Sequence, residues 1–201
     1  MVLALAKASL LLRDAGTIQA GMATLATGLH AFQQLLSLAF TLLIVTLFLR
    51  RRSVIGRRSS WPARIVAVVG TFALYAPAAY QVGDDQPLLL VASSALILIG
   101  LIVSIVSLNT LDQCFGMFPE ARGLVTVGPY HYIRHPLYLG EIITGLGLVI
   151  GTAWLPLVGL FIVFVVCQYL RAGLEERALA EVFPEYEEYR RQTWRIIPFV
   201  Y

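Results

Sequence analysis

Ile142-Ile-Thr-Gly-Leu-Gly-Leu-Val-Ile-Gly-Thr-Ala-Trp-Leu-Pro-Leu-Val-Gly-Leu-Phe-Ile-Val-Phe-Val-Val-Cys-Gln-Tyr-Leu170 is a run of 29 uncharged residues. As one helix it would extend about 43 Å by helical rise, well beyond a hydrocarbon core of roughly 30 Å. Gly151-Thr-Ala-Trp-Leu-Pro156 interrupts it near the middle with two strong helix breakers. A helical hairpin satisfies both facts, its first helix beginning at Pro136 and its second continuing past Leu170. On the N-terminal side, Leu29–Leu49, Ile65–Gln81 and Leu88–Leu108 are apolar enough to span as well, with a kink expected at Pro77. The expectation is an all-α polytopic membrane protein with about five transmembrane helices. Residues 1–108 carry three of them; residues 109–201 carry a polar loop, the hairpin and a C-terminal amphipathic helix. Residues 1–28 stay unassigned, since Lys7 interrupts an already short apolar run.

Composition agrees. The 201 residues are 58% hydrophobic and 13% charged, whereas soluble domains carry about a quarter charged residues. That excludes a soluble, disordered or collagenous chain. Cys114 and Cys167 are the two cysteines, each in an apolar setting, so neither a disulfide scaffold nor a zinc framework is available and no metal is expected. The net charge of +3 suggests nucleic acid only until the charges are located. Thirteen of the fifteen basic residues fall in three segments: Arg50 to Arg64, Arg122 to Arg134, and Arg171 to Arg195. The loop Gln81-Val-Gly-Asp-Asp-Gln-Pro87 holds none. The positive-inside rule makes the arginine-rich side cytoplasmic and, with an odd number of spans, puts the N-terminus outside.

Two of the polar segments can carry chemistry. In the first, Gly128-Pro129 is a turn, and Pro136 suits the first turn of the following helix. Arg134 and His135 therefore sit at a helix N-terminus, where free N–H groups and the dipole favour an anion. They serve equally well as interfacial anchors. In the second, Arg171 and Glu175 lie i,i+4 on one face, either as a surface ion pair or as two ligand-binding groups. Glu181 to Arg191, with Tyr186, Tyr189 and the nearby Trp194, is expected to form an interfacial amphipathic helix. Glu141 is the ionisable residue inside a span and hence a functional candidate. His30 and His131 have no spaced partners and are expected to be structural. No dinucleotide fingerprint, P-loop or nucleophile elbow is present.

Taken together, Leu124-Val-Thr-Val-Gly-Pro-Tyr130, Arg134-His-Pro-Leu-Tyr138, Arg171-x-x-x-Glu175-Glu176-x-x-Leu179 and the tail Phe183-Pro-Glu-Tyr-Glu-Glu-Tyr189 resemble the isoprenylcysteine carboxyl methyltransferase family. More broadly they are similar to the integral-membrane methyltransferases that include phospholipid methyltransferases, here of the short prokaryotic type. The resemblance implies S-adenosyl-L-methionine held by loops and helix ends. Carried over by position, Arg122, Gly123, Leu124, Val125, Tyr130, His135, Pro136, Leu137, Tyr138 and Glu175 would bind that cofactor. Arg171 matches the arginine that faces substrate, and with Arg134 it is the expected catalytic cation. Gly145-Leu-Gly147 is similar to a Gly-x-Gly of phospholipid methyltransferases, but small residues in a span are more often packing contacts.

The expected activity is methyl transfer to a lipid or isoprenoid-type acceptor entering from the bilayer, with a carboxylate leading and a phospholipid amine second. Membrane lipids are the expected surroundings, nucleic acid is not an expected partner, and a bacterial inner membrane is the expected location. A carboxylate acceptor needs an orienting cation and no general base. An amine would need a base such as Glu141. The competing class is a transporter or scaffold, against which stand the scarcity of ionisable residues in the spans and the absence of a repeat.

Overall fold

The computed structural model describes residues 35–73, 87–152 and 155–199, preceded by Gly21, Thr24, Leu25, Gly28, Leu29, Phe32 and Gln33. Its helices are α1 (Leu35–Arg50), α2 (Trp61–Phe72), α3 (Pro87–Leu111), α4 (Pro136–Thr152), α5 (Leu155–Val182) and α6 (Tyr186–Gln192). No strand occurs among the described residues; one parallel bridge joins Ile133 to Trp194. The expected kink at Pro77, the acidic loop at Asp84-Asp85 and His30 lie outside the described residues.

Among the described residues α3 and α5 are long and apolar enough to cross a membrane, while α1, α2 and α4 are shorter apolar helices. The expected five full spans thus become two of full length and three shorter helices. The outward faces of α3 and α5 carry Ile99, Ile102, Val106, Ile162, Val163 and Val166, each 46–58% exposed. Contiguous apolar surface of that kind suits lipid rather than water. On α5 the buried positions Leu157, Phe164, Gln168 and Arg171 recur every three to seven residues, one stripe of a helix.

The hairpin forms as expected. Its cross-contacts pair Glu141 with Gln168, Tyr138 with Glu175 and Arg134 with Glu176, rising along one helix as they fall along the other. α3 lies antiparallel to α4 at backbone contact. A Cβ on Gly140 would stand 2.8 Å from the carbonyl oxygen of Gly100 and 2.8 Å from the amide of Ser104. One on Gly147 would meet the Ser93 carbonyl at 3.0 Å, and the Ser93 hydroxyl donates to the Gly147 carbonyl at 2.9 Å. Small residues that let two backbones touch are how apolar helices associate where lipid is as oily as the side chains.

The amphipathic C-terminal helix is corrected. Pro184 disfavours helix at Phe183, so α5 ends at Val182 and α6 is a separate segment of seven residues. Its Glu187 and Glu188 stand in the first turn and its Arg190 and Arg191 in the last, matching the helix dipole. Tyr186 is fully buried, and the Tyr189 hydroxyl donates to the Tyr130 carbonyl at 2.6 Å. These tyrosines dock the tail onto the loop instead of floating at an interface.

All three arginine-rich segments gather at one end. The amides of Arg52 and Ile55 donate to the carbonyls of Gln113 and Ala121, each at 2.8 Å. Gly56, at φ +82°, passes so close to α5 that a Cβ would stand 2.8 Å from Val182. The Arg134 and His135 amides donate to the carbonyls of Trp194 and Arg195 at 2.7 and 3.0 Å.

Candidate active site

A cleft enclosing about 1120 Å³, counting its open mouth, lies at this end of the helices. Its walls hold Arg122, Gly123, Leu124 and Val125 from the loop; Arg134, His135, Leu137 and Tyr138 from the start of α4; and Arg171 and Glu175 from α5. Tyr130 completes the set of predicted residues that reach it. Pro136 does not line it; fully buried, it starts α4 and so aims Leu137 and Tyr138 inward. Chain segments far apart in sequence thus converge, from Phe40 on α1 to Tyr189 on α6.

Arg171 and Glu175 do not pair. Tyr138 stands between them: its ring lies 4.9 Å from the Arg171 guanidinium and its hydroxyl donates to Glu175. Arg171 is 5% exposed. Its Nη1 donates to Gln168 Oε1 at 3.1 Å and its Nη2 to the Met117 carbonyl at 3.1 Å, while Nε has no hydrogen-bond partner among the described residues. A guanidinium held on two nitrogens with a buried N–H to spare is prepared for an acceptor atom that the protein does not supply. Glu175 keeps one oxygen 3.8 Å from His135 Nδ1, and the His135 and Tyr138 rings stack at 5.4 Å, 3° from parallel.

Three further polar atoms of wall residues lack protein partners among the described residues: Arg122 Nε and the hydroxyls of Tyr130 and Tyr186. Burial, with Glu175 close by, pushes the Tyr130 hydroxyl well above its ordinary range, and burial likewise raises Tyr186. Both hydroxyls are therefore neutral donors at physiological pH. Burial pushes Tyr189 up to about 12.

Arg134 and Arg122 are occupied differently. Arg134 donates to Glu176 at 3.0 Å and to the carbonyls of Arg190 and Thr193. Arg122 donates to Glu120 at 2.9 Å and to the Arg52 carbonyl, tying the loop to the segment after α1. Burial, with Arg51 alongside, draws the Arg122 guanidinium below its ordinary value, and Glu120 opposes this. Gly123 allows a close approach, since a Cβ there would stand 2.5 Å from the Cys114 sulfur.

The anion expected at the start of α4 is supplied by the chain itself. Glu176 sits 3.0 Å from Arg134, 3.3 Å from His135 and 3.3 Å from Arg195. Nothing local in the sequence marks the role of Glu176 beside Glu175, or of Arg195, which has no helical spacing to the others. Nor does anything local mark Gln168, which is wholly buried yet uncharged, or the wall residues Phe40, Ile44 and Thr71 from α1 and α2.

Residues 88–186 match the family model described as phospholipid methyltransferase. The chain carries a phospholipid methyltransferase domain. The match runs from α3 to the start of α6, so this domain contains every predicted site residue, while α1, α2 and the tail close the cleft from outside it. With its apolar helices, the phospholipid methyltransferase domain marks a membrane protein. A curated relative is the cobalt-zinc-cadmium resistance protein CzcN of Cupriavidus metallidurans, 40% identical over 76 residues, which are 37% of this chain and 35% of that protein. The alignment therefore spans about a third of the relative's length.

Proposed function

We propose that this protein is a multi-pass membrane methyltransferase that uses S-adenosyl-L-methionine and methylates a carboxylate on a lipophilic acceptor. The observation that carries the reading is Arg171, fixed by Gln168 and Met117 with its buried Nε unpartnered beside the cleft. The cleft suits the cofactor: Glu175 offers a carboxylate to its ammonium, Tyr138 and His135 offer flat rings, and the Tyr130 and Tyr186 hydroxyls want acceptors. Leu124, Val125 and Leu179 offer apolar wall for the adenine. When bound, S-adenosyl-L-methionine supplies a methyl group already activated on sulfur.

The chain's own residues then have positional work. Arg171 orients the acceptor oxygen through charge-assisted hydrogen bonds, and the apolar wall from Phe40, Ile44, Leu108 and Leu111 excludes water. Arg134 acts as a positioning residue, because its donors hold Glu176 and the tail. We place the arginine-rich end in the cytoplasm, by the positive-inside rule, in a bacterial inner membrane.

A second reading, methylation of a phospholipid amine, is favoured by the description of the matched family and by Glu141, which also lines the cleft and could take the amine's proton. The test is transfer of a tritiated methyl group by the purified protein to a membrane lipid extract. Base treatment is expected to release the label as volatile methanol, as from a methyl ester; label that stays on the headgroup nitrogen after base treatment selects the amine reading. No labelled lipid together with no S-adenosyl-L-methionine binding in calorimetry would refute catalysis and leave a scaffold or transporter.

A further inference from the structure

Glu141 is acidic and Arg171 basic; both line the cleft, and both sit among apolar helices. Such groups attract strongly where the dielectric is low. They are nevertheless not joined to each other. Between them lies the side chain of Gln168, 0% exposed and outside the cleft wall. Its Nε2 donates to Glu141 and its Oε1 accepts from Arg171 at 3.1 Å. Gln168 is one turn before Arg171 on the buried stripe of α5. From α2, Gly70 closes over it: a Cβ there would stand 3.0 Å from Cys167 Cβ and 3.5 Å from Gln168 Oε1. Thr71 Oγ1 lies 3.5 Å from Arg171 Nη1.

Resting on the carboxylate reading above, we propose that Gln168 is a positioning residue that acts as a dipolar spacer. Its amide gives a donor to the carboxylate and an acceptor to the guanidinium, satisfying each charge without cancelling either. The Arg171 guanidinium therefore stays available to the acceptor carboxylate. Without the spacer, Glu141 would swing to Arg171 and occupy the N–H groups that the substrate needs. Asn is too short to reach both partners, and Leu fills the volume but supplies neither bond. α2, outside the matched domain, then has a defined role, because with Gly70 and Thr71 it prevents Gln168 and Arg171 from turning away.

The test uses the full chain in lipid nanodiscs and a tritiated probe, an S-farnesyl thioether ending in a carboxylate, with binding measured in the absence of S-adenosyl-L-methionine so that no methyl transfer can occur. S-adenosyl-L-methionine affinity by calorimetry is the folding control. Gln168→Leu should weaken probe binding about tenfold, as expected for loss of one charge-assisted contact to the anion, and raise the acceptor KM similarly, with cofactor affinity within about twofold. Adding Glu141→Gln to Gln168→Leu should restore most of the probe affinity, because the group that blocks Arg171 has lost its charge. A mere packing role would not be rescued by that second change. Probe binding unchanged in Gln168→Leu, or a double variant no better than the single one, overturns the spacer while leaving the carboxylate reading standing. Failure of the unaltered protein to bind the probe overturns both. If Gln168→Leu does not fold, Gln168→Asn replaces it, with the same weakening and the same rescue expected.

Discussion

Glu175 and Glu176 are adjacent in sequence and should fail in opposite ways. Glu176 has a side chain 14% exposed and lies within 3.3 Å of Arg134, His135 and Arg195. Glu176→Gln removes the carboxylate that Arg134 and Arg195 share and leaves two guanidinium groups facing one another. Breaking a buried pair costs about 3–5 kcal/mol; the slight exposure of Glu176 argues for the lower end, about 3 kcal/mol. That loss falls on the docking of the tail, which Arg134 also holds through the carbonyls of Arg190 and Thr193. At about 1.4 kcal/mol per tenfold, the undocked population should rise about 100-fold. Limited proteolysis at Arg190-Arg191, run where opening is fast relative to cleavage, reads that population directly. Glu175→Gln, by contrast, weakens only the bond from Tyr138 and a 3.8 Å approach to His135, so its cost in stability should be about 1 kcal/mol. Its loss should show instead in S-adenosyl-L-methionine binding, by about 2 kcal/mol or more. Equal proteolysis of the two variants, or a cofactor defect larger in Glu176→Gln with its tail still docked, would refute this division of labour.

Gly140→Ala should separate α3 from α4, since the new methyl would meet backbone at 2.8 Å, and should cost about 1–3 kcal/mol in unfolding from detergent. Gly159→Ala, with nothing within 4 Å, should be neutral or slightly stabilising in the same assay. Arg171→Ala should leave S-adenosyl-L-methionine affinity nearly intact and lower turnover of a carboxyl acceptor at least about tenfold; Arg171→Lys should recover only part, lacking the planar fork. Cysteine labels at the exposed positions Arg58 and Arg191 should react from the same, cytoplasmic side in inverted vesicles. Opposite accessibility would refute the proposed orientation.

What the amino-acid sequence determined by itself is whatever depends on local pattern. A run too long for one span and broken by Gly and Pro requires a hairpin, and Pro136 requires a helix start beside Arg134 and His135. Clustered arginines require one basic end. The motif spacing was enough to indicate the family and the residues that converge on the cleft. Partner choice was not local. Whether Arg171 meets Glu175 or Gln168 depends on Tyr138, contributed by another helix, which stands between the two charges. Arg134 and Arg195 meet at Glu176 only because the tail folds back to bridge Ile133 with Trp194. The roles of Tyr186 and Tyr189 turned on Pro184, which detaches α6 and lets it dock. Periodicity records which face of a helix is apolar; which neighbour satisfies a buried charge on that face is decided only when the helices are brought together.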